Sequence, residues 1–343
     1  RGAISSRFAP RHAGKRAHDA ARQVAAAART LGAMLAAAPP GGSIDEKVAI
    51  IAPMSPPCTA PLLGTPPGGT IGGMIAAGLA GPRRIRAGGA PDHLLGAHAV
   101  SGFGDSFKTG GKVVKNVTGY DMCKLQAGAF GTLSVLTEVT VKTMPRPETA
   151  CTLVLPPSDP VASVRSMAEA LNSPHEVSGA ARLPDGRTML RLEGPAPSVA
   201  HRADALTAIV GAADRLDAAA SATMWKDIGA ASHFATQSST PLWRLCPTPA
   251  RAPDLLHRLG DPEALIDWGG GLVWLRHDSP SQVRSAIAAV GGHATLFAAP
   301  AATRSETDVF DPLPPALLAL HRRIKAGFDE RGILNPGRMY KDI

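Results

Sequence analysis

Residues 148–310 alternate between short apolar runs and segments whose apolar positions have helical spacing. The runs TLVLPP, PLWRLCP and HATLFAAP predict strands, whereas VASVRSMAEALNS, SVAHRADALTAIVG, APDLLHRLG and SQVRSAIAAVGG predict helices. GAARLPDGRTMLRLEG predicts a hairpin that turns at Asp185-Gly186, and LIDWGGGLVWLRHD predicts a second pair of strands. This order is typical of an α+β domain with an antiparallel sheet and helices on one face.

Residues 61–147 have a different pattern, in which glycines separate short apolar segments. GTPPGGTIGGMIAAGLAGPRR predicts a turn, a short helix and another turn, and DHLLGAHAVSGFGDSFKTGG predicts strands joined at SGFGD. GYDMCKLQAGAFG predicts a short helix that ends at Gly128, and TLSVLTEVTVKTMPRP predicts a strand. Pro145 and Pro147 after this strand indicate a domain boundary.

The two ends of the chain are helical in pattern. Residues 1–60 are rich in Ala and Arg, which favours an Ala-rich helix over roughly 17–38; a targeting peptide is the alternative. EKVAIIAP then predicts a short strand. Near the other end, LPPALLALHRRIKAGF predicts an amphipathic helix, and we expect its apolar residues to lie mostly in the core: Leu317, Leu318, Leu320 and Ile324.

Composition narrows the possible functions. The 343 residues are 44% hydrophobic and 19% charged, without an uninterrupted apolar stretch of transmembrane length, which favours a soluble globular protein. The aromatic content of 4% disfavours nucleic-acid binding by stacking. The net charge of +8 is dispersed, which favours a mixed solvated surface over a polyanion site. The four cysteines form no CxxC pair, so a zinc or iron–sulfur site is poorly supported.

The glycine segments are the candidates for chemistry. Consecutive glycines in TIGGMIAAGLAGPRR let backbone N–H groups approach a phosphate, although a turn in an ordinary sheet protein has the same composition. Gly128 and Gly131 form a second such segment near Asn116, Tyr120 and Asp121, where Asp121 has the alternative role of helix cap. We find neither GxSxG nor HExxH, so any redox chemistry requires a cofactor.

Five segments in order resemble the FAD-binding subunit of bacterial glycolate oxidase, of the vanillyl-alcohol-oxidase/PCMH flavoprotein superfamily. They are GTIGGMIAAGLAGPRR, GGKVVKNVTGYDMCKLQAGAFGTLSVLTEVTVKTMPRP, LIDWGGGLVWL, GGHATLF and ILNPGRMY. The resemblance covers about residues 64–343. It implies a divergent N-terminal segment (1–60), the second subdomain of a PCMH-type FAD-binding module (61–147), an antiparallel α+β cap domain (148–310) and a C-terminal helix and tail that return to the flavin module (311–343).

The resemblance also implies contacts between this chain and FAD. The pyrophosphate and ribityl chain would meet the backbone of Thr70, Ile71, Gly72, Gly73 and Gly78, with the wall continued by Gly81, Pro82 and Arg83. A second matching block contains Asn116, Gly119, Tyr120 and Asp121. The adenine end would meet Gly128, Gly131, Thr132 and Val135, and the isoalloxazine would be approached by the tail at Asn335, Pro336, Gly337 and Arg338. The chain departs from the family pattern at Pro91 and Thr109, and upstream of residue 61.

The function implied by the resemblance is oxidation of a small 2-hydroxy acid, glycolate to glyoxylate. The partners implied are a second flavoprotein subunit and an iron–sulfur subunit, in a cytoplasmic complex that passes electrons to the membrane. The resemblance identifies no catalytic base and implies no metal site. The alternative is a non-catalytic subunit that keeps the flavoprotein fold and acts as a scaffold.

Overall fold

The computed structural model describes residues 71–113, 120–211, 214–236, 238–341 and 343, whose strands form two antiparallel sheets. The helix predicted over roughly 17–38 and the strand predicted in EKVAIIAP lie outside the described residues. Within the described part of the chain, no helix combines the length and the apolar character needed to cross a membrane.

The smaller sheet has the strand order β2-β1-β3. Its strands are β1 (Leu94–Ser101), β2 (Ser106–Gly110) and β3 (Ser134–Val141), and β1 and β2 are joined at the predicted glycine-rich turn. The helices around it are α1 (Ile71–Ala77), α2 (Arg84–Ala87), α3 (Ala90–His93) and α4 (Met122–Gln126). We call residues 71–113 and 120–141 the smaller-sheet unit. Its core is small, and consists mainly of Ile75, Ala90, Leu94 and Cys123.

The larger sheet has eight strands in the order β11-β8-β10-β9-β5-β6-β4-β7. The strands are β4 (Thr149–Leu155), β5 (Gly179–Arg182), β6 (Thr188–Gly194), β7 (Asp214–Leu216), β8 (Leu242–Pro247), β9 (Ala264–Asp267), β10 (Leu272–Arg276) and β11 (Gly292–Ala298). The helices that follow β4 are α5 (Pro160–Asn172), α6 (Ala196–Val210), α7 (Ala218–Ala230), α8 (Ala252–Arg258), α9 (Pro280–Val290), α10 (Ala301–Glu306) and α11 (Pro315–Phe328). We call residues 149–298 the larger-sheet unit.

Both faces of the larger sheet are buried. Helices α5, α6, α8 and α9 share one hydrophobic core with one face of the sheet. The opposite face forms a second core with α7, through Trp225 and Ile228, and with Ala80 of the smaller-sheet unit. The sequence predicted helices on one face only, and that prediction is wrong for α7. Its Ala-rich sequence has few large apolar residues, so the helical period is weak there.

The C-terminal helix α11 also differs from the prediction. Leu317 is 40% exposed and Leu320 is 46% exposed, so its apolar residues do not form a core. The buried residue of this helix is instead Lys325. Phe328, at the end of the helix, packs its ring 5.7 Å from that of Phe107 on β2. Helix α11 is therefore attached through its C-terminal end rather than along an apolar stripe.

Two positions on α6 test how the core contributes to stability. Leu206 is fully buried, whereas Ile209, less than one turn later, is 48% exposed. We expect Leu206→Ala to lower the free energy of unfolding by about 2–5 kcal/mol, because the lost contacts leave a cavity. Ile209→Ala should change it by less than about 1 kcal/mol. Equilibrium urea unfolding of both variants measures the difference, and equal losses would contradict the assignment of α6 to the core.

Candidate functional site

Helix α1 ends where two glycine backbones touch. Gly78 has φ +64°, and a Cβ at this position would lie 2.8 Å from the Cα atom of Gly128. The N–H of Gly128 donates to the carbonyl of Ile75 (3.0 Å), and the N–H of Phe130 donates to that of Ala76 (2.8 Å). These bonds use carbonyl groups that the end of a helix leaves without partners. The close approach therefore requires glycine at position 78. At Gly128 a Cβ would lie 3.9 Å from the Gly78 Cα atom, and it is the φ of +83° that favours glycine.

The loop before β3 follows directly from this contact. Gly128, Phe130 and Gly131 have φ values of +83°, +52° and +70°, so the backbone turns sharply here. The hydroxyl of Thr132 donates to the carbonyl of Ala129 at 2.7 Å, which closes the turn. Among the described residues, the N–H of Gly131 has no hydrogen-bond partner. The loop thus leaves one backbone donor, the N–H of Gly131, without a partner among the described residues.

The C-terminal tail packs against the same loop. The side-chain amide of Asn335 donates to the carbonyl of Phe130 at 2.8 Å. A Cβ on Gly131 would lie 2.8 Å from the Asn335 amide nitrogen. Arg338 is exposed, and its N–H donates to the Asn335 carbonyl (3.1 Å). Three segments distant in sequence therefore meet, and we call Gly78, Gly128, Gly131 and Asn335 the glycine corner.

Apart from Gly81, Pro82 and Arg83, the other predicted site residues of this part of the chain lie on α1, at or before the start of α4, on β3 or outside the described residues. Ile71, Gly72 and Gly73 are on α1, whereas Thr70, Asn116 and Gly119 lie outside the described residues. Tyr120 is 95% exposed. Asp121 accepts hydrogen bonds from the N–H groups of Cys123 (3.1 Å) and Lys124 (3.4 Å), so it caps α4, the alternative considered from the sequence. Val135 is on β3, partly exposed and paired with Val100.

Gly81, Pro82 and Arg83 lie against the larger-sheet unit. The indole N–H of Trp268 donates to the carbonyl of Gly81 at 3.0 Å. A Cβ on Gly229 would lie 3.1 Å from the Pro82 ring. The guanidinium of Arg83 forms an ion pair with Glu193, at 3.2 Å. The sequence indicated nothing of these contacts, because the partners are more than 100 residues away.

Two further arginines lie where residues 81–83 contact the larger-sheet unit, a contact that we call the junction. The guanidinium of Arg84 lies 4.7 Å from the centroid of the Trp268 ring, and that of Arg244 lies 5.2 Å from it. Within the described ranges, neither guanidinium forms an ion pair. Arg244 donates to the thiol of Cys246 at 3.3 Å, and Cys246 is paired with His293 across β8 and β11. Partial burial, and next the charge of Arg244, lowers the pKa of His293, so its imidazole is neutral at pH 7.

Buried charges lie behind this surface. Asp267 is 2% exposed, and burial raises its pKa to about 7, although its carboxylate accepts a hydrogen bond from the Trp268 N–H at 2.7 Å. Burial likewise lowers the pKa of Arg191 to about 10. Arg191 also forms an ion pair with Glu193 at 3.5 Å. Burial therefore disfavours the charged form of both Asp267 and Arg191.

Comparison with known proteins gives no matching family model but several similar proteins. The chain is 35% identical over 289 residues to the glycolate oxidase subunit GlcE of Escherichia coli K12, which covers 84% of this chain and 76% of that protein. It is 44% identical over 85 residues to the glycolate oxidase subunit GlcD of Bacillus subtilis 168, over 25% of this chain and 18% of that protein. An FAD-linked oxidoreductase of Mycobacterium tuberculosis H37Rv is 37% identical over 90 residues, over 26% of this chain and 20% of that protein.

The fold is similar to that of alkyldihydroxyacetonephosphate synthase. Two structures of that protein, in different crystal forms, superpose with TM-scores of 0.52 and 0.53 at 13% sequence identity. The match covers 78% of this chain and 57–58% of the synthase, so the chain spans little more than half of that protein. The predicted α+β fold with antiparallel sheets is confirmed.

The glycine corner makes a prediction about stability. Gly78 and Gly211 have nearly equal φ values, +64° and +66°, but a Cβ on Gly211 has no atom within 4 Å. We expect Gly211→Ala to cost about 1–2 kcal/mol for the left-handed backbone alone. Gly78→Ala should cost about 1–3 kcal/mol more, because its methyl group meets the Gly128 backbone. Urea unfolding measures both, and equal costs would show that the two backbones are not in contact.

Proposed function

Because the chain belongs to the family of the glycolate oxidase subunit GlcE, we propose that it is the FAD-binding subunit of a glycolate oxidase complex. In this proposal it oxidises a small 2-hydroxy acid, glycolate to glyoxylate, and passes the electrons to partner subunits. The observation that best supports it is the glycine corner. Three separate segments meet there, Gly78, Gly128 with Gly131, and Asn335. The sequence resemblance assigned them to different parts of FAD, and their direct contact means that in the proposal they meet one part of the cofactor.

The residues present fit FAD at this corner. A Cβ on Gly131 would lie 2.8 Å from the Asn335 amide nitrogen, so glycine at this position lets the Asn335 side chain reach the loop backbone. The unpartnered N–H of Gly131 suits a phosphate or ring acceptor. In the proposed site the loop Gly128–Thr132 and the amide of Asn335 hold the cofactor. This corner is attached to the larger-sheet unit through Gly81, Pro82 and Arg83, which the sequence resemblance assigns to the wall of the FAD site.

In the proposal, side chains of this chain bind the substrate and accept its proton. When bound, FAD supplies the acceptor for the two electrons released by the hydroxyl-bearing carbon. In the proposal, Arg84 and Arg244 bind the substrate carboxylate, because two guanidiniums without ion pairs among the described residues attract a small anion. The neutral imidazole of His293 is suited to accept the hydroxyl proton.

The proposal includes two partner subunits. One is a second flavoprotein subunit, for which the similarity of a short segment to the Bacillus subtilis subunit GlcD is the support. The other is the iron–sulfur subunit implied by the sequence resemblance. Partners of this kind give the electrons a route out of the flavin.

The cofactor assignment predicts a specific loss. The purified chain should bind FAD, and Gly131→Asp should weaken that binding roughly 100-fold, because like charges about 5 Å apart repel by about 3 kcal/mol at an effective dielectric constant of 20. The matched control is Gly260→Asp, which has φ +80° and an open position. Flavin absorbance after dialysis against FAD measures occupancy. A colourless wild-type chain that cannot be reconstituted would contradict cofactor binding.

The same variants separate the enzyme from a scaffold. If the reconstituted complex keeps full flavin content and full glycolate turnover with Gly131→Asp, this subunit acts only as a scaffold. Loss of the flavin of this subunit together with turnover supports a catalytic subunit.

The proposed carboxylate site makes a second prediction. Arg244→Met should raise the KM for glycolate about 10- to 100-fold, because a charge-assisted hydrogen bond is lost. Arg165→Met is the control, since Arg165 is 80% exposed and far in sequence from the junction. Steady-state kinetics of the reconstituted complex measure both. An unchanged KM for Arg244→Met would place the substrate elsewhere.

A further inference from the structure

Lys325 is a buried ammonium group whose hydrogen bonds all lie inside the protein. It is 7% exposed, and its Nζ lies 2.7 Å from each of three oxygens. These oxygens are the carbonyl of Thr132, the carbonyl of Leu334 and Oδ2 of Asp329. An ammonium group has three N–H donors, so every donor is used. A buried charge is tolerated only with such partners.

Asp329 completes this cluster. It is 2% exposed, and besides Lys325 it accepts hydrogen bonds from the N–H groups of Ile333 (3.1 Å) and Leu334 (2.7 Å). Burial alone would raise the pKa of Asp329, but the bonds from Lys325 and the two backbone N–H groups lower it below its ordinary value. The carboxylate is therefore charged at neutral pH, and it turns the chain from helix α11 into the tail.

Two of the three partners of Lys325 lie in or next to different parts of the proposed flavin site. Thr132 ends the loop of the glycine corner, and Leu334 precedes Asn335 directly. Because the Lys325 ammonium group bonds to the carbonyls of both Thr132 and Leu334, it fixes how far the loop lies from the tail. The Thr132 carbonyl is occupied by Lys325, and the Thr132 hydroxyl by the Ala129 carbonyl. Thr132 therefore positions the loop, and the N–H of Gly131 is left for a ligand.

We infer that Lys325 is a positioning residue for the flavin site, which holds the Gly128–Thr132 loop and the tail from Asn335 at the spacing that FAD binding requires. This inference rests on the proposed function, because the loop and the tail matter together only if both meet the cofactor. A merely structural ion pair would stabilise the end of α11 without affecting the affinity for FAD. The two roles differ in their effect on flavin binding.

The test compares Lys325→Met/Asp329→Asn with wild type. The double variant avoids leaving an unpaired buried charge, so it should fold, but it lacks the bond to Thr132. Contacts that orient ligands around bound metal ions are typically worth roughly 10- to 100-fold in affinity, and we expect a loss of FAD affinity on this scale. Titration of the apoprotein with FAD, followed by flavin fluorescence and by visible circular dichroism, measures affinity and ring environment.

Two controls make the result specific. Lys341→Met removes an exposed tail lysine that pairs with Asp308 at 3.5 Å, and should leave FAD affinity unchanged. Lys325→Arg keeps the charge and its pairing with Asp329, and should bind FAD more tightly than the double variant. If the folded double variant binds FAD as tightly as wild type, with the same circular dichroism, the inference is wrong.

A flavin-independent measurement separates this inference from the proposed function. Hydrogen exchange of the Thr132 amide, which donates to the Ala129 carbonyl at 2.9 Å and has no bond to Asp329, should become faster in the folded double variant without FAD, because the loop loses its link to the tail. Unchanged exchange would overturn the positioning role. A wild-type chain that never binds FAD overturns the proposed function, while the exchange result still decides whether Lys325 holds the tail.

Discussion

The contact between the Gly78 and Gly128 backbones is the constraint on which the rest of the glycine corner depends. Helix α1 has only seven residues, too few to be stable by itself. Two backbone hydrogen bonds from the loop before β3 satisfy carbonyls of its last turn. They are possible because Gly78 has no side chain to separate the two segments. The position of α1 then fixes Gly131, and Gly131 fixes how closely Asn335 and the tail approach.

A second constraint is charge buried between the two units. Arg191 and Arg83 share Glu193, and Asp267 is enclosed beside Trp268. Buried ion pairs recover little net stability, since desolvation offsets most of their attraction. Their value here is geometric, because an unpaired charge would be left if the units shifted. The junction therefore favours one arrangement of the smaller-sheet unit on the larger sheet.

The sequence predicted local structure well and distant contacts poorly. The hairpin at Asp185-Gly186, the helix ending before Gly128 and the strand pair around LIDWGGGLVWL follow from period and turn chemistry, and all three are present. Helix α7 was missed because alanine gives no apolar period, and α11 was assigned to the core because its apolar residues have helical spacing. The contacts of Lys325 could not be predicted from the sequence, since its partner Thr132 lies 193 residues away. The contacts of Gly81, Pro82 and Arg83 depend in the same way on distant partners, which are Trp268, Gly229 and Glu193.

These contacts link the two halves of the proposed site through one short segment. Gly78 belongs to the glycine corner, and Arg84 lies over Trp268 beside Arg244. They are six positions apart in the sequence, so their Cα atoms are at most about 20 Å apart. The segment between them is also held by the Gly81 carbonyl and the Arg83 ion pair, which leaves it little freedom. A shift of the larger sheet would therefore be transmitted to α1. The segment 78–84 thus sets the distance between the corner proposed for FAD and the guanidiniums proposed for the substrate.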